Sequence, residues 1–344
     1  MKIAFVARGN LSNNMYRAMV PARALERRGH QVDVFIQFRG EPKISLDELA
    51  RYDVVYAYRV IINEDLDYVA KLHDAGVAVC FDNDDDVPSI TSEMWEQMRQ
   101  AYGTEDGLID LITREHSAAL ALVPQVDLVT SPSRSIAQRY EALGARNVEV
   151  VPNSLPAGIS ATRPASYEGF TIGWHACNEH VWDVRALRLE ERLNEVLQAH
   201  PDVNVVTVGI ELDLDPRRYR RIAHVPLPDL FNRIAGFDIG IAPLANLPFN
   251  DGRSDVKLRE YAAAGVPWVA SAVGPYLGHG DEEGGQLVED DEWFDALDAL
   301  IRSPRELGKR RKKARKWAKR EHMDHMADLW EGLLAGVVET RAAA

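Results

Sequence analysis

Residues 238–271 read DIGIAPLANLPFNDGRSDVKLREYAAAGVPWVAS, and the order of elements in this stretch recurs along the chain. The apolar runs at 238–243 and 268–272 predict two strands. Between them, 256–264 predicts a helix that a following glycine and proline bring to an end. Strands that are apolar on both faces and joined through a helix are typical of a parallel sheet covered on both sides.

The same alternation extends in both directions from this stretch. Further apolar runs predict strands at 2–7, 32–37, 53–58, 77–81, 126–130, 148–151, 170–175 and 203–210, with helical patterns such as 15–28 and 184–199 between them. We predict an α/β protein of two tandem doubly wound, Rossmann-like domains that face a cleft. Their expected bounds are 1–152 and 169–322, with an aperiodic linker at 153–168 and a helix at 323–344.

Composition narrows the possible classes of protein. The 344 residues carry 40 Lys and Arg against 53 Asp and Glu, a formal net charge of −13, and 46% of them are hydrophobic. Such a composition is that of a folded globular protein and excludes disorder over most of the chain. The length favours two domains of roughly 150 residues over one. The acidic balance argues against a nucleic-acid partner.

Compartment is predicted from two further features. No apolar run approaches the roughly 18 residues of a membrane span, and the first apolar run is too short for the core of a signal peptide. Cys80 and Cys177 lie far apart and match neither a disulfide framework nor a zinc site. We therefore expect a cytoplasmic protein without a membrane span.

A turn with a single glycine follows the first predicted strand. Gly9 and Asn10 lie where backbone can approach a ligand and where the next helix N-terminus favours anions. Because the other glycines of a dinucleotide fingerprint are missing, a dehydrogenase is disfavoured. The alternative is an ordinary turn capped by an asparagine.

Four carboxylates follow the fourth predicted strand, in the run Asp82-Asn83-Asp84-Asp85-Asp86. Carboxylates this close repel one another, a cost that folded proteins tolerate where cations or substrate hydroxyls compensate. Three interpretations stay open: acceptors for sugar hydroxyls, an N-cap cluster for the next helix, and a magnesium site.

A polar loop follows the strand predicted at 170–175. It contains His175, Asn178 and His180 close to Cys177 and Asp183. The spacing does not suit a zinc site, since no second cysteine-rich segment completes it. We expect this loop to bind phosphate or hydroxyl groups, with structural histidines as the alternative.

The loop and helix of the opening stretch carry two cations. Arg253 and Lys257, next to a helix N-terminus, are suited to a diphosphate because their charges offset its own. Glu260 lies further along the helix, where it could accept hydrogen bonds from ribose hydroxyls.

The stretch 248–271 resembles the donor-binding segment of the group 1 nucleotide-sugar glycosyltransferases, a large retaining family with the GT-B fold. Weaker matches extend the resemblance over about residues 2–303. They are Val151-Pro152-Asn153-Ser154, Gly173-Trp174 with His180 and Asp183, and Arg27-Arg28-Gly29-His30.

The resemblance implies transfer of a sugar from a nucleoside diphosphate sugar to an acceptor that enters from the first domain. It implies that Lys257 and Arg253 stabilise the leaving diphosphate without a required metal or other cofactor. Asp84 and Asp85 would orient hydroxyl groups as further catalytic candidates. The implied donor-binding residues are Gly9, Asn10, His175, Asn178, His180, Asn250, Ser254, Asp255 and Glu260.

One position departs from the family pattern. The family has two glutamates separated by seven residues, and Gly252 stands where the first would be. Asp251 or Asp255 could substitute for the missing carboxylate. Two alternatives therefore stay open: a metal-dependent glycosyltransferase that uses the acids from Asp82 to Asp86, and a non-catalytic partner protein that binds nucleotide sugars.

The C-terminal region combines a charge block with an amphipathic helix. Ten Lys and Arg lie from Arg305 to Arg320, after nine Asp and Glu at 281–298. This block predicts either a helix neutralised by its acidic neighbour or a peripheral membrane contact. The apolar stripe at 326–338 must be buried, on the second domain or back on the first.

Overall fold

The computed structural model describes residues 1–9, 13–38, 44–59 and 67–343. Within them the chain forms two parallel sheets of six strands each. The N-terminal sheet has the order β2-β1-β3-β4-β5-β6 and the C-terminal sheet the order β12-β11-β10-β7-β8-β9. The strands are β1 (Lys2–Arg8), β2 (Gln31–Gln37), β3 (Val54–Tyr58), β4 (Ala78–Asp82), β5 (Leu128–Ser131), β6 (Val148–Val150), β7 (Phe170–Ala176), β8 (Val203–Gly209), β9 (Tyr219–Ile222), β10 (Ile239–Ala242), β11 (Trp268–Ser271) and β12 (Gly285–Val288).

Helices cover both faces of each sheet. They are α1 (Val20–Arg27), α2 (Leu46–Leu49), α3 (Asp67–Asp74), α4 (Ser92–Tyr102), α5 (Asp106–Leu120), α6 (Arg134–Ala142), α7 (Val181–Ala186), α8 (Leu189–Ala199), α9 (Leu227–Ile234), α10 (Pro248–Asp251), α11 (Val256–Ala264), α12 (Trp293–Ile301), α13 (Pro304–Ala318) and α14 (Met323–Ala342). A π-helical turn, Met15–Met19, precedes α1. The predicted α/β class with two doubly wound sheets is confirmed.

Strand order determines where a ligand can enter each sheet. In doubly wound sheets the crevice lies beyond the carboxyl ends of the strands, where the order reverses. In the N-terminal sheet this point lies between β1 and β3, and in the C-terminal sheet between β7 and β10. The loops after these four strands, together with the loop after β4, therefore hold the candidate site residues.

The last helix returns to the N-terminal sheet. Trp330 of α14 is buried against Phe5 and Tyr56, with ring centroids 6.2 and 5.2 Å away. The apolar stripe was expected to pack on either the second domain or the first, and it packs on the N-terminal sheet.

The two connections between the halves of the chain lie side by side. The backbone N–H of Leu155 donates to Glu321 O at 2.9 Å, and its carbonyl accepts from Met323 N–H at 2.9 Å. Leu155 lies at the start of the predicted linker and Glu321 just before α14, so the chain crosses between the sheets in both directions at one place.

The basic block forms α13, which packs on the C-terminal sheet through Leu307, Ala314 and Trp317. Lys313 of this helix pairs with Asp281 and Glu282, so part of the block is neutralised by the acidic segment before it. Among the described residues, no helix combines the length and the apolar character needed to cross a bilayer.

Candidate active site in the cleft

Arg253 lies in the turn between α10 and α11, in the loop region that follows β10. Its Nε donates to Asn250 Oδ1 at 3.3 Å, and its guanidinium lies over the Phe249 ring at 4.9 Å from the centroid. One nitrogen, Nη1, is 3.5 Å from Glu179 Oε1, while Nη2 is buried and has no hydrogen-bond partner among the described residues. Burial lowers the pKa of Arg253, but Glu179, Asp183 and Asp85 more than offset this, so the cation is retained.

Lys257 lies in the first turn of α11, one helical turn after Arg253. Among the described residues its Nζ has no hydrogen-bond or ion-pair partner, and burial together with the charge of Arg253 lowers its pKa. Two positive charges held close together repel each other, and the protein alone supplies too few acceptors for them. An anion at this helix N-terminus would satisfy both.

Glu260 is buried on the same helix and contacts the N-terminal half. Tyr16, in the π-helical turn, donates its hydroxyl to Glu260 Oε1 at 2.5 Å. His175 Nε2 lies 3.2 Å from the other carboxylate oxygen without hydrogen-bond geometry. Burial raises the pKa of Glu260 to about 7, although Tyr16 and Lys257 oppose the shift.

The loop after β7 buries His180 but leaves Asn178 exposed. His180 is 1% exposed, and its Nδ1 lies 2.6 Å from Asp183 Oδ2. Its Nε2 is buried and unpartnered. Asn178 is exposed and makes none of these contacts.

Across the cleft, Asp84 and Asp85 share one arginine. Arg59 lies just after β3 and donates to Asp84 Oδ1 and Asp85 Oδ2, both at 2.5 Å. Asp84 also accepts from Tyr58 and Asn13 at 2.6 and 2.5 Å, so its oxygens are occupied. Burial raises the pKa of Asp84, but Arg59 and Tyr58 outweigh it and the pKa is lowered.

Asp85 is the more available of the two carboxylates, with its side chain 31% exposed. Burial and the neighbouring Asp84 raise its pKa, against the effect of Arg59 and Arg253. The two halves of the chain meet next to Arg253, where Ser133 Oγ donates to the Gly252 carbonyl at 3.0 Å.

The backbone at Arg59 has a φ of +52°, which non-glycine residues rarely adopt. Such conformations persist where the surroundings hold them, and they cluster at functional sites. Here the two aspartates hold the guanidinium.

Arginines compensate the whole acidic run. Asp82 forms a fully buried pair with Arg17, in which Arg17 Nε is 3.0 Å from Asp82 Oδ1, and Asp86 accepts from Arg139 at 2.8 Å. The compensation that the sequence led us to expect from cations or substrate hydroxyls is thus supplied by the protein itself. Within the described residues, no cluster of three or more His, Cys, Asp or Glu is arranged to hold a metal.

Four more of the predicted donor-binding residues are Gly9, Asn10, Asn250 and Ser254. Gly9 has a φ of +53°, and among the described residues no atom lies within 4 Å of a Cβ built there, while its N–H donates to Gln37 O and its carbonyl accepts from Asn14 Nδ2. Ser254 Oγ accepts from Asn153 Nδ2 at 3.1 Å, which joins the turn to the N-terminal half. Asn250 is 1% exposed and accepts from Arg253. Asn10 lies outside the described residues.

Asp255, one of the two possible substitutes for the missing glutamate, is paired with Arg259 and His279. Its carboxylate accepts two hydrogen bonds from Arg259, at 2.8 and 2.7 Å, and lies 3.0 Å from His279 Nε2. Burial raises its pKa, but Arg259 and His279 outweigh this and lower it to about 2. These partners all belong to the C-terminal half, and a contact of this carboxylate with the donor stays a prediction.

Gly252 is a close contact between the two halves. A Cβ built there would lie 2.9 Å from Asp86 Cβ and 3.2 Å from Ile136 Cγ1. The Gly252 carbonyl accepts from Ser133 Oγ at 3.0 Å. The position has no room for the family's first glutamate because the N-terminal half packs directly on it.

Several residues of the cleft were missed at the level of sequence. Tyr16, Arg17 and Arg59 all act over long sequence separations, and none belongs to a local motif. The unusual feature of Arg59 is its backbone conformation, which no residue pattern signalled.

Comparison with known proteins supports the fold. No family model and no curated protein sequence matches the chain. HepE of Anabaena in complex with UDP superposes with a TM-score of 0.66 at 15% identity, covering 98% of this chain and 100% of that one. The HepE complex with UDP-glucose gives 0.65 at 15% identity with the same coverage.

The chain has the GT-B fold. Sucrose-phosphate synthase of Thermosynechococcus elongatus superposes at 13% identity with a TM-score of 0.60, over 98% of this chain and 100% of that one. A UDP-N-acetylglucosamine 2-epimerase of Listeria monocytogenes does so at 11% identity with a TM-score of 0.54, over 100% and 98%. The GT-B fold is therefore shared with proteins of different names, and the reaction must be argued from the site.

Proposed function

We propose that this protein is a glycosyltransferase that moves a sugar from a nucleoside diphosphate sugar to an acceptor with retention of configuration. The observation that carries the proposal is the pair Arg253 and Lys257 in the loop and helix that follow β10, at the reversal of strand order. The buried Arg253 Nη2 and the unpaired Lys257 Nζ are donors available to a diphosphate. The likeness to HepE bound to UDP-glucose supports this choice of ligand.

In this mechanism, bond cleavage leaves negative charge on the diphosphate. Preorganised cations in a site that excludes water stabilise such developing charge strongly. Arg253 and Lys257 would perform this task without a metal ion. Glu260 would bind the ribose, and the carboxylates of Asp84 and Asp85, on the opposite wall, would orient hydroxyls of donor or acceptor.

Retention follows if the acceptor attacks the face from which the diphosphate leaves. The departing diphosphate would then take the acceptor proton, so the bond from the sugar to phosphate breaks as the bond to the acceptor oxygen forms. We infer this step from the family resemblance and from the position of the two cations.

The first experiment is a thermal-shift screen against UDP-, GDP- and dTDP-sugars, because a ligand of the folded state raises apparent stability. The second is Lys257→Ala with the donor so found. We expect turnover to fall by about 10²- to 10³-fold while the melting temperature is retained. Lys316→Ala, on the exposed side of α13, is the matched control.

Three outcomes separate the alternatives. Wild-type turnover by Lys257→Ala would reject the assignment, and loss of activity in EDTA would favour a metal-dependent transferase. Nucleotide-sugar binding without any product would favour a non-catalytic partner, an alternative that Gly252 keeps open. Analysis of the product distinguishes transfer from hydrolysis or epimerisation.

A further inference from the structure

A chain of buried hydrogen bonds connects His180 to Arg253. Asp183 is 1% exposed, and its Oδ2 lies 2.6 Å from His180 Nδ1. Its Oδ1 accepts from Ala245 N–H at 2.8 Å and from Asn250 Nδ2 at 2.7 Å. Asn250 in turn accepts from Arg253 Nε at 3.3 Å. One buried carboxylate thereby supports both His180 and, through Asn250, Arg253.

Each end of this chain has a buried nitrogen without a partner. His180 Nε2 and Arg253 Nη2 both lack a hydrogen bond to the described protein. Leaving a buried polar group unpaired costs free energy, so unpaired groups near a cleft point to a ligand. The two side chains are joined through Asp183 and Asn250, and burial, helped by the charge of Arg253, lowers the pKa of His180.

The two nitrogens differ in what they can bind. Burial and the cations Lys257 and Arg253 hold the pKa of His180 well below its usual value, so the ring is neutral. A neutral imidazole carries one N–H, and a carboxylate only accepts, so the proton must lie on Nδ1 toward Asp183. Nε2 is then an acceptor, whereas Arg253 Nη2 is a donor.

We propose that Asp183 is a positioning residue of the donor site, which fixes the His180 tautomer so that Nε2 accepts a hydroxyl of the sugar of a nucleoside diphosphate sugar. Through its other oxygen, Asp183 holds Asn250, which accepts from Arg253. Asp183 thereby positions both His180, for a sugar hydroxyl, and Arg253, for the adjacent diphosphate. This inference rests on the proposed function, because it requires a donor at Arg253 and Lys257.

The test uses Asp183→Asn in the full chain. The amide can keep the bonds to Ala245 and Asn250 through its oxygen, but its NH2 group faces His180 Nδ1 and requires the other tautomer. Nitrogen-15 NMR of the histidine side chains should show the His180 proton move from Nδ1 to Nε2. Asp298→Asn is the matched control, since Asp298 pairs with His200 Nε2 at 2.8 Å on another face.

Binding then tests the ligand. With the donor found in the screen, Asp183→Asn should weaken affinity for the nucleotide sugar about tenfold and leave affinity for the nucleoside diphosphate without sugar unchanged. His180→Asn should do the same, because its amide can mimic Nδ1 toward Asp183 while the outer acceptor is lost. Thermal denaturation checks that both variants are folded.

The results distinguish the two proposals. Equal affinities for the nucleotide sugar in wild type and both variants would overturn the role of His180. An unchanged tautomer in Asp183→Asn would overturn the role of Asp183. If the wild type binds no nucleotide sugar, the proposed function itself fails.

Discussion

At the scale of single residues, the small size of Gly252 allows the two halves of the chain to pack closely on each other. Its neighbours Asp86 and Ile136 belong to the other half of the chain, so a side chain there would push the two halves apart. We expect Gly252→Ala to cost about 1–3 kcal/mol and Gly252→Glu to cost more without restoring a donor contact. Denaturation curves measure the change in the free energy of unfolding for both variants. Gly332→Ala, at an exposed position of α14 with open space around it, is the control and should cause no loss of stability.

Higher transfer activity in Gly252→Glu would contradict this interpretation. It would mean that the glutamate reaches the donor as in the resembling family, and that the contact with Asp86 is not fixed in solution.

The raised pKa of Glu260 predicts that the free energy of unfolding depends on pH. Its pKa is raised by burial from 4.5 to about 7, so its contribution to stability is complete below about pH 4.5 and is lost as the pH rises through 7. Glu260→Gln can still accept from Tyr16. The variant should lose less stability than wild type between about pH 5 and 8, by up to about 1.4 kcal/mol per pH unit.

Chemical denaturation at several pH values measures this difference. Glu289→Gln, an exposed position, should follow the wild-type curve. Parallel curves for wild type and Glu260→Gln would show that the carboxyl is ionised over the whole range.

At the scale of elements, α14 completes the core of the N-terminal sheet. Trp330 contacts Phe5 and Tyr56, and Arg17 lies 5.8 Å from its ring centroid. Trp330→Ala should cost about 3–5 kcal/mol, because a large cavity would open beside a buried ion pair. Leu329→Ala, whose side chain is 38% exposed, is the neighbouring control and should change stability little. A loss of under 1 kcal/mol in Trp330→Ala would show that the helix is not docked.

The elements that the sequence predicted are those with strong apolar runs. β9 and β12 were missed, and they are the two edge strands of the C-terminal sheet. Edge strands are short and bury less, so their apolar signal is weak. The helix predicted at 184–199 is divided at Arg188, where φ is +49°. Nothing in the residue pattern marked that break.

At the scale of the whole molecule, residue patterns predicted candidates on both walls of the cleft, but not the contacts that hold them. Arg253, Lys257 and Glu260 lie in one strand–helix–strand unit, so local patterning sufficed to place them together. Tyr16 reaches Glu260 through the packing of the two halves, and Arg59 reaches Asp84 and Asp85 from a neighbouring strand of the N-terminal sheet, which local sequence does not encode. The site residues therefore remain a proposal in their roles, while their positions follow from the fold.

The halves also touch through an aromatic contact. Trp182 of α7 donates its indole N–H to Met94 O of α4 at 2.8 Å, and its ring lies edge-on to that of Trp95 with centroids 6.4 Å apart. Trp182→Ala should loosen this contact and increase the radius of gyration in solution scattering. Trp330→Ala, a change within the N-terminal half, should lower stability without that increase. Equal radii for wild type and Trp182→Ala would show that other contacts suffice to hold the halves together.

The paired crossings at Leu155 and Met323 limit how the molecule can move. Two chain segments hydrogen-bonded side by side resist sliding and separation but permit a turn about their common line. We therefore expect the cleft to open by rotation about this line. One distance measured between two probes at its mouth would then report the complete motion, and every ligand that closes the cleft would move the molecule along the same coordinate.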